Sequence, residues 1–151
     1  MQAELEIAQL VDLLGDHEPA TDQTGLRALD ELVRRAAATG LAVSYAFSGD
    51  HNSVSPELAD AAFHVTQEGI TNALKHAPGA PIRVAVHAAS GGLSVVVENG
   101  PPRDTATGLE DAGGTHGING LRDRLAVVGG ELRAGPTRDG GWRLTAELPT
   151  N

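Results

Sequence analysis

Phe63-His-Val-Thr-Gln-Glu-Gly-Ile-Thr-Asn-Ala-Leu-Lys-His-Ala77 decides how this chain is read. At about 100° per residue, Glu68, Asn72, Lys75 and His76 fall within an arc of roughly 100° of one helix. Phe63, Ile70, Ala73, Leu74 and Ala77 occupy the opposite side, as in an ordinary amphipathic helix. The polar row is less ordinary, because it sets a carboxylate, an amide and two basic groups in line. Such a row suits Mg²⁺ with a polyphosphate, with hard oxygen ligands for the ion and positive donors for the phosphates. The competing reading is a solvated helix face with Glu/Lys pairing.

The flanks frame this helix. Ser55 is a good N-cap, Pro56 suits the first helical position and Glu57 favours the first turn. Pro78-Gly79 ends the helix. Upstream, Leu41 to Phe47 alternates as a half-buried strand, and Gly40 stops a helix over Leu26 to Thr39 that starts at Thr24 or Gly25. Ala3 to Leu14 has near-helical apolar spacing and is followed by a polar loop, Gly15 to Gly25. Downstream, Pro81 to His87 and Gly92 to Glu98 read as a hairpin around Ser-Gly-Gly. Arg103 to Thr115 is long, polar and aperiodic, the pattern of a lid. Ile118 to Val128 is helical, with Leu121, Leu125 and Val128 on one side. Glu131 to Ala134 and Trp142 to Leu148 are two further strands around Gly135 to Gly141. This order predicts an α+β fold, a two-layer sandwich with one mixed sheet and helices on one face. Residues 1–25 form an N-terminal helix and loop, with the shape of a tail of some preceding helix, and residues 26–151 form the domain proper.

With 151 residues the chain is long enough for one domain with a real core. It has no Cys, which leaves neither disulfides nor thiolate metal sites. The net charge of −9 argues against non-specific nucleic-acid binding. No apolar run reaches the roughly 18 residues of a membrane span, and the N-terminus lacks the basic-then-apolar pattern of a signal peptide. A cytoplasmic setting, with no membrane contact by this chain, is the expectation.

Three segments stand in a fixed order: Glu68-Gly-Ile-Thr-Asn72-Ala-Leu-Lys75-His76-Ala77; Val95-Val-Val-Glu98-Asn99-Gly100; and Gly113-Gly-Thr-His-Gly117-Ile-Asn-Gly120-Leu-Arg122-Asp-Arg124. Over about residues 27–149 the chain resembles the ATP-binding domain of sensor histidine kinases. It most resembles the branch that pairs with helix-turn-helix response regulators, within the superfamily shared with gyrase, Hsp90 and MutL. The resemblance implies ATP and Mg²⁺ as cofactors. It implies that Asn72 ligates Mg²⁺ and that Glu68, one turn earlier, acts as base or orients a metal-bound water. Lys75 and His76 approach the phosphates on this reading. Gly117 and Gly120 let backbone amides near the triphosphate at the N-terminus of the helix from Ile118, with Thr115, His116, Ile118 and Leu121 in the same cofactor-binding segment. An N-terminus of this kind attracts anions.

Two positions depart from the family pattern. The adenine-reading Asp falls on Asn99 if the strand phase is kept, or on Glu98 if it is shifted by one, and the Gly two places on is Pro101. Trp142 stands where many relatives have Thr. An Asn that flips donates to guanine as readily as it accepts from adenine, so weak ATP binding and poor discrimination against GTP are expected. The family's acceptor His lies on a separate dimerisation domain. Of the six His here, only His17 is flanked by acidic residues on both sides, Asp16 and Glu18, and it sits in a loop. The resemblance therefore implies a chain that donates phosphoryl groups to a His elsewhere, with a histidine-kinase dimerisation domain and a response regulator as partners. The alternatives are a degenerate nucleotide- or partner-binding module and an anti-sigma-type serine kinase of the same fold.

Overall fold

The computed structural model describes residues 26–50, 54–77, 79–101 and 114–149. The readings of Ala3 to Gly25, of His17 and of most of the Arg103 to Thr115 segment lie outside these residues. The elements are α1 (Leu26–Ala38), β1 (Val43–Gly49), α2 (Pro56–His76), β2 (Ile82–Ala89), β3 (Gly92–Asn99), α3 (Gly114–Val127), β4 (Glu131–Pro136) and β5 (Trp142–Pro149).

The five strands form one sheet in the order β1-β2-β3-β5-β4. β1 and β2 are parallel, joined by the α2 crossover, and the other neighbours are antiparallel. The sheet is mixed, with α1 packed on β1, α2 on β2, β3 and β5, and α3 on β4.

Alternation along the strands makes this two-layer arrangement. Ile82, Val84, Val86 and Ala88 of β2, Leu93, Val95 and Val97 of β3, and Leu144, Ala146 and Leu148 of β5 are buried on one face. The helices cover that face with Leu29, Leu32, Phe63, Val65, Ile70, Leu121 and Leu125. The other face is wet. There Glu98 accepts from Arg83 at 3.2 Å and from Arg143 at 3.3 Å, bridging three strands. Both Arg hydrogen bonds, that of Arg143 foremost, hold the Glu98 carboxyl below its ordinary range.

α2 is fixed at both ends. Ser55 Oγ accepts from the Leu58 amide, Pro56 opens the first turn and Glu57 meets the positive end of the dipole. At the C-terminus the Ala77 amide donates to Ala73 O at 2.9 Å. In mid-helix Gly69 lies against β3, where a Cβ would come within 2.6 Å of Val97. That approach lets the helix sit low on the sheet.

The third helix begins four residues before the Ile118 read from sequence, at Gly114. Glycines signal loops because they cost about 1 kcal/mol each in a helix. Here the cost is met by the anchorage of Leu121 and Leu125 in the core. Gly117 therefore lies inside the helix, not ahead of it.

Candidate functional site

The chain path brings four ends together. The C-terminus of α2 runs through Ala77 and Ala80 into Ile82, which pairs with Asn99, the last residue of β3. Asn99 pairs on its other side with Trp142, the first residue of β5. α3 turns at Gly129 into Glu131, which pairs with Glu147 near the far end of β5. The C-terminus of α3 is thus remote, and its N-terminus points to the end that holds Asn99 and Trp142.

On α2, burial separates residues that a helical projection groups together. Asn72 is 6% exposed, whereas Glu68 and Lys75 are half-buried and His76 is exposed. A plain solvated face would not bury an amide. Its Oδ1 finds no hydrogen-bond partner among the described residues. An unpartnered buried carbonyl oxygen costs about 1–3 kcal/mol, and sites that tolerate it commonly serve a ligand. Glu68 stands one turn away on the same side. Burial raises its pKa above 4.5, and the charge of Lys75 pulls it partly back. One hard oxygen and one carboxylate a turn apart fit Mg²⁺, which takes one or two protein ligands and fills the rest of its octahedron from phosphates and water.

Asn99 is 8% exposed and lies on the helix-covered face, in phase with Val95 and Val97. Glu98 lies on the opposite face, held by its two arginines. The Asn99 Nδ2 donates to Gly100 O at 2.9 Å, leaving Oδ1 as the amide's acceptor. The free flip expected from sequence is opposed, since it would set Oδ1 against a carbonyl oxygen.

Gly120 is exposed on α3, and a Cβ there would meet nothing within 4 Å among the described residues. Packing does not demand this glycine. Ile118 is half-buried and Leu121 is buried in the core, so Leu121 is a packing residue whose backbone alone is available to a ligand. Thr115, His116 and Gly117 lie in the first turns of α3. A groove of about 560 Å³ opens at this same end of the sheet. It is lined by Leu41, Pro81, Arg83, Glu98 and Asp139 and takes in Asn99, but neither Glu68 nor Asn72. It belongs to the rim, not to the α2 side.

Sequence reading named no partner for His64. His64 Nε2 lies 3.6 Å from Asp60 Oδ1, one turn back on α2, a contact that is an ion pair when the ring is protonated. The i, i+4 spacing carried that signal. His64 also meets the Phe63 ring edge-on at 5.5 Å. His87 shares a hydrogen bond with Ser48 at 2.7 Å on the wet face, away from α2. Among the described residues no three His, Asp or Glu side chains cluster as a metal site, and no helix is long and apolar enough to cross a membrane.

No protein-family model matches the chain. Over 109 residues, 72% of this chain, it is 27% identical to sensor histidine kinase LnrJ of Bacillus subtilis, of which it spans 26%. The histidine kinase domain of the blue-light-activated kinase of Erythrobacter litoralis superposes with a TM-score of 0.58 at 23% identity, covering 98% of this chain and 78% of that one. The ATP-binding domain of PrrB from Mycobacterium tuberculosis superposes with a TM-score of 0.52 at 20% identity, covering 82% and 91%. The fold is that of histidine-kinase ATP-binding domains, as the sequence motifs implied. The chain is a relative of sensor histidine kinases, and it spans about a quarter of the length of LnrJ.

Proposed function

We propose that this chain binds Mg·ATP and donates the γ-phosphoryl group to a His on a separate dimerisation domain, as the catalytic part of a two-component sensor kinase. The observation that carries this reading is the buried, unpartnered Oδ1 of Asn72 beside the half-buried Glu68. Similarity to sensor kinases and to a solved ATP-binding domain supports it.

In this reading Asn72 Oδ1 and Glu68 are the residues that would hold Mg²⁺. The ion, when bound, neutralises charge on the transferring group. Lys75 places positive charge, and His76 a ring N–H donor, at the end of α2, where they would meet the phosphate chain. Burial keeps Glu68 more basic than a surface carboxylate, which suits it to accept a proton or to orient a water. The glycine-rich start of α3 has low helix propensity, so its first turn unwinds at small cost towards Ile118. Its amides, which have no carbonyl partner within the helix, then turn to the phosphates. Thr115, His116 and Gly117 contribute to that turn, and Gly120 leaves open room beside it. Asn99 Oδ1 accepts from the adenine amino group. The acceptor His comes from the dimerisation domain, a response regulator receives the phosphoryl group from it, and the setting is cytoplasmic.

Calorimetric titration with Mg·ATP, followed by incubation with labelled ATP with and without a histidine-kinase dimerisation domain, tests this. Binding is expected, with label on the added domain alone. Absence of Mg²⁺-dependent binding overturns the reading, and acid-labile label on this chain overturns the assignment of the acceptor.

A further inference from the structure

The geometry points to Trp142 as a wall of the nucleobase site, on which the purine ring stacks. This rests on the ATP-binding reading and adds a residue to it.

Trp142 shares its face with Leu144, Ala146 and Leu148, all 2% exposed or less, yet it is itself 37% exposed. The helices that bury the rest of this face leave it partly open. It and Val127 are the large apolar side chains left exposed among the described residues. An indole on the covered face of a sheet, at its end and partly exposed, offers a flat apolar plate.

Its position is held from below. The Gly141 amide donates to Thr137 Oγ1 at 2.9 Å, and the Thr137 amide donates to Gly141 O at 3.0 Å. Gly141 has no room for a side chain, since a Cβ would fall 2.1 Å from Asn99 O. That close approach seats β5 against β3, and Trp142 with it.

The neighbour gives the plate its ligand. Asn99 lies directly opposite across the β3–β5 pair, on the same face. Cβ atoms of such pairs are about 4.5–5.5 Å apart. Asn99 offers a fixed acceptor at Oδ1 because its Nδ2 is spent on Gly100 O. A flat ring whose amino group reaches that acceptor lies within stacking reach of the indole. The complement of one in-plane acceptor and one adjacent aromatic face is an aminopurine.

Trp142 is the sole tryptophan of the chain, so its fluorescence reports on this position alone. The wild type, Trp142→Phe and Trp142→Ala are titrated with Mg·ATP and with Mg·tripolyphosphate, by fluorescence for the wild type and by calorimetry for all three. Base–aromatic stacking is worth enough to change affinity by about tenfold or more. Expected are a change in Trp142 emission with ATP, a loss of about tenfold in ATP affinity for Trp142→Ala, and retention of most affinity by Trp142→Phe. Tripolyphosphate affinity stays the same in all three. Equal ATP affinity in wild type and Trp142→Ala overturns the stacking role while leaving the ATP-binding reading intact. Equal losses for ATP and tripolyphosphate also overturn it, because the variant then acts on the fold. If the wild type binds no ATP, both fall together.

Discussion

Truncating Asn72 to alanine separates function from stability in a way few buried positions allow. Ordinarily a buried Asn→Ala change breaks hydrogen bonds and destabilises. Here Oδ1 has no partner among the described residues, so the folded protein already bears the cost of a desolvated carbonyl, about 1–3 kcal/mol. Alanine removes that oxygen. It also removes Cγ and Nδ2, leaving roughly 40 Å³ that costs about 1 kcal/mol at about 24 cal/mol per Å³. The two effects nearly balance, and Asn72→Ala is expected to be between about 0 and 2 kcal/mol more stable than wild type. At about 2–4 °C per kcal/mol for a domain of this size, Tm rises by a few degrees or stays unchanged. Mg²⁺-dependent ATP binding is lost in the same variant. Thermal unfolding without nucleotide and calorimetry with it measure both halves. A Tm lowered by several degrees shows that Oδ1 is hydrogen-bonded in solution and refutes the stored-cost argument. Persistent Mg·ATP binding refutes the ligand role.

Other positions give independent checks. Gly69→Ala drives a Cβ to 2.6 Å from Val97, and overpacking of about 1–3 kcal/mol outweighs the roughly 1 kcal/mol of helix propensity gained, so Tm falls; a rise would show that α2 rides higher on the sheet. Because burial raises the Glu68 pKa above 4.5, its contribution to stability is full below 4.5 and is lost as pH rises through the folded value. Glu68→Gln should flatten that part of the stability–pH curve and leave the protein no less stable at pH 7, which denaturant titration from pH 4 to 7 measures. Tyr45 is pushed up to about 12 by burial and then by the charge of Asp30, so the chain's single tyrosine should ionise about two pH units above 10 in an absorbance titration; a midpoint at 10 would place Tyr45 in solvent. With the Asn99 amide fixed by Gly100, ATP should bind about tenfold tighter than GTP, as one hydrogen bond is kept for adenine and an oxygen–oxygen contact is made with guanine. Equal affinities would show that the amide flips freely.

Local chemistry was legible in the sequence, and pairing at a distance was not. The Ser55-Pro56-Glu57 start of α2, the Gly40 stop at a φ of 98° and the hairpin of β2 and β3 are set by residues that act on their neighbours, and each stands where patterning put it. The polar row of α2 was visible as a row. That Asn72 within it is buried depends on how low the helix sits, which Gly69 and Val97 decide together across the α2–β3 contact. Strand phase favoured Asn99 over Glu98 for the helix-covered face. The reason Glu98 is engaged elsewhere is the arginine pair from β2 and β5, which no local pattern announces. The start of α3 was misplaced because glycines argue for loop, while the anchorage that overrides them lies in the core. Trp142 was noticed only as a departure; its register with Asn99 gives it a meaning.

The pairing of β3 with β5 has a consequence for how the molecule comes into being. Asn99 and Trp142 meet only when the chain from residue 100 to 141 closes on itself, after the local hairpin has formed. Closing such a loop is an entropic step whose cost grows slowly, by about 0.6 kcal/mol per doubling of length. Insertions between β3 and α3 are therefore cheap for the folded state. The Asn99–Trp142 pair is absent until that long closure is complete, so a half-folded chain offers a purine nothing to hold. On the proposed reading, nucleotide is a late ligand in the kinetic sense, expected to slow the reopening of β5 and to leave the earlier collapse untouched.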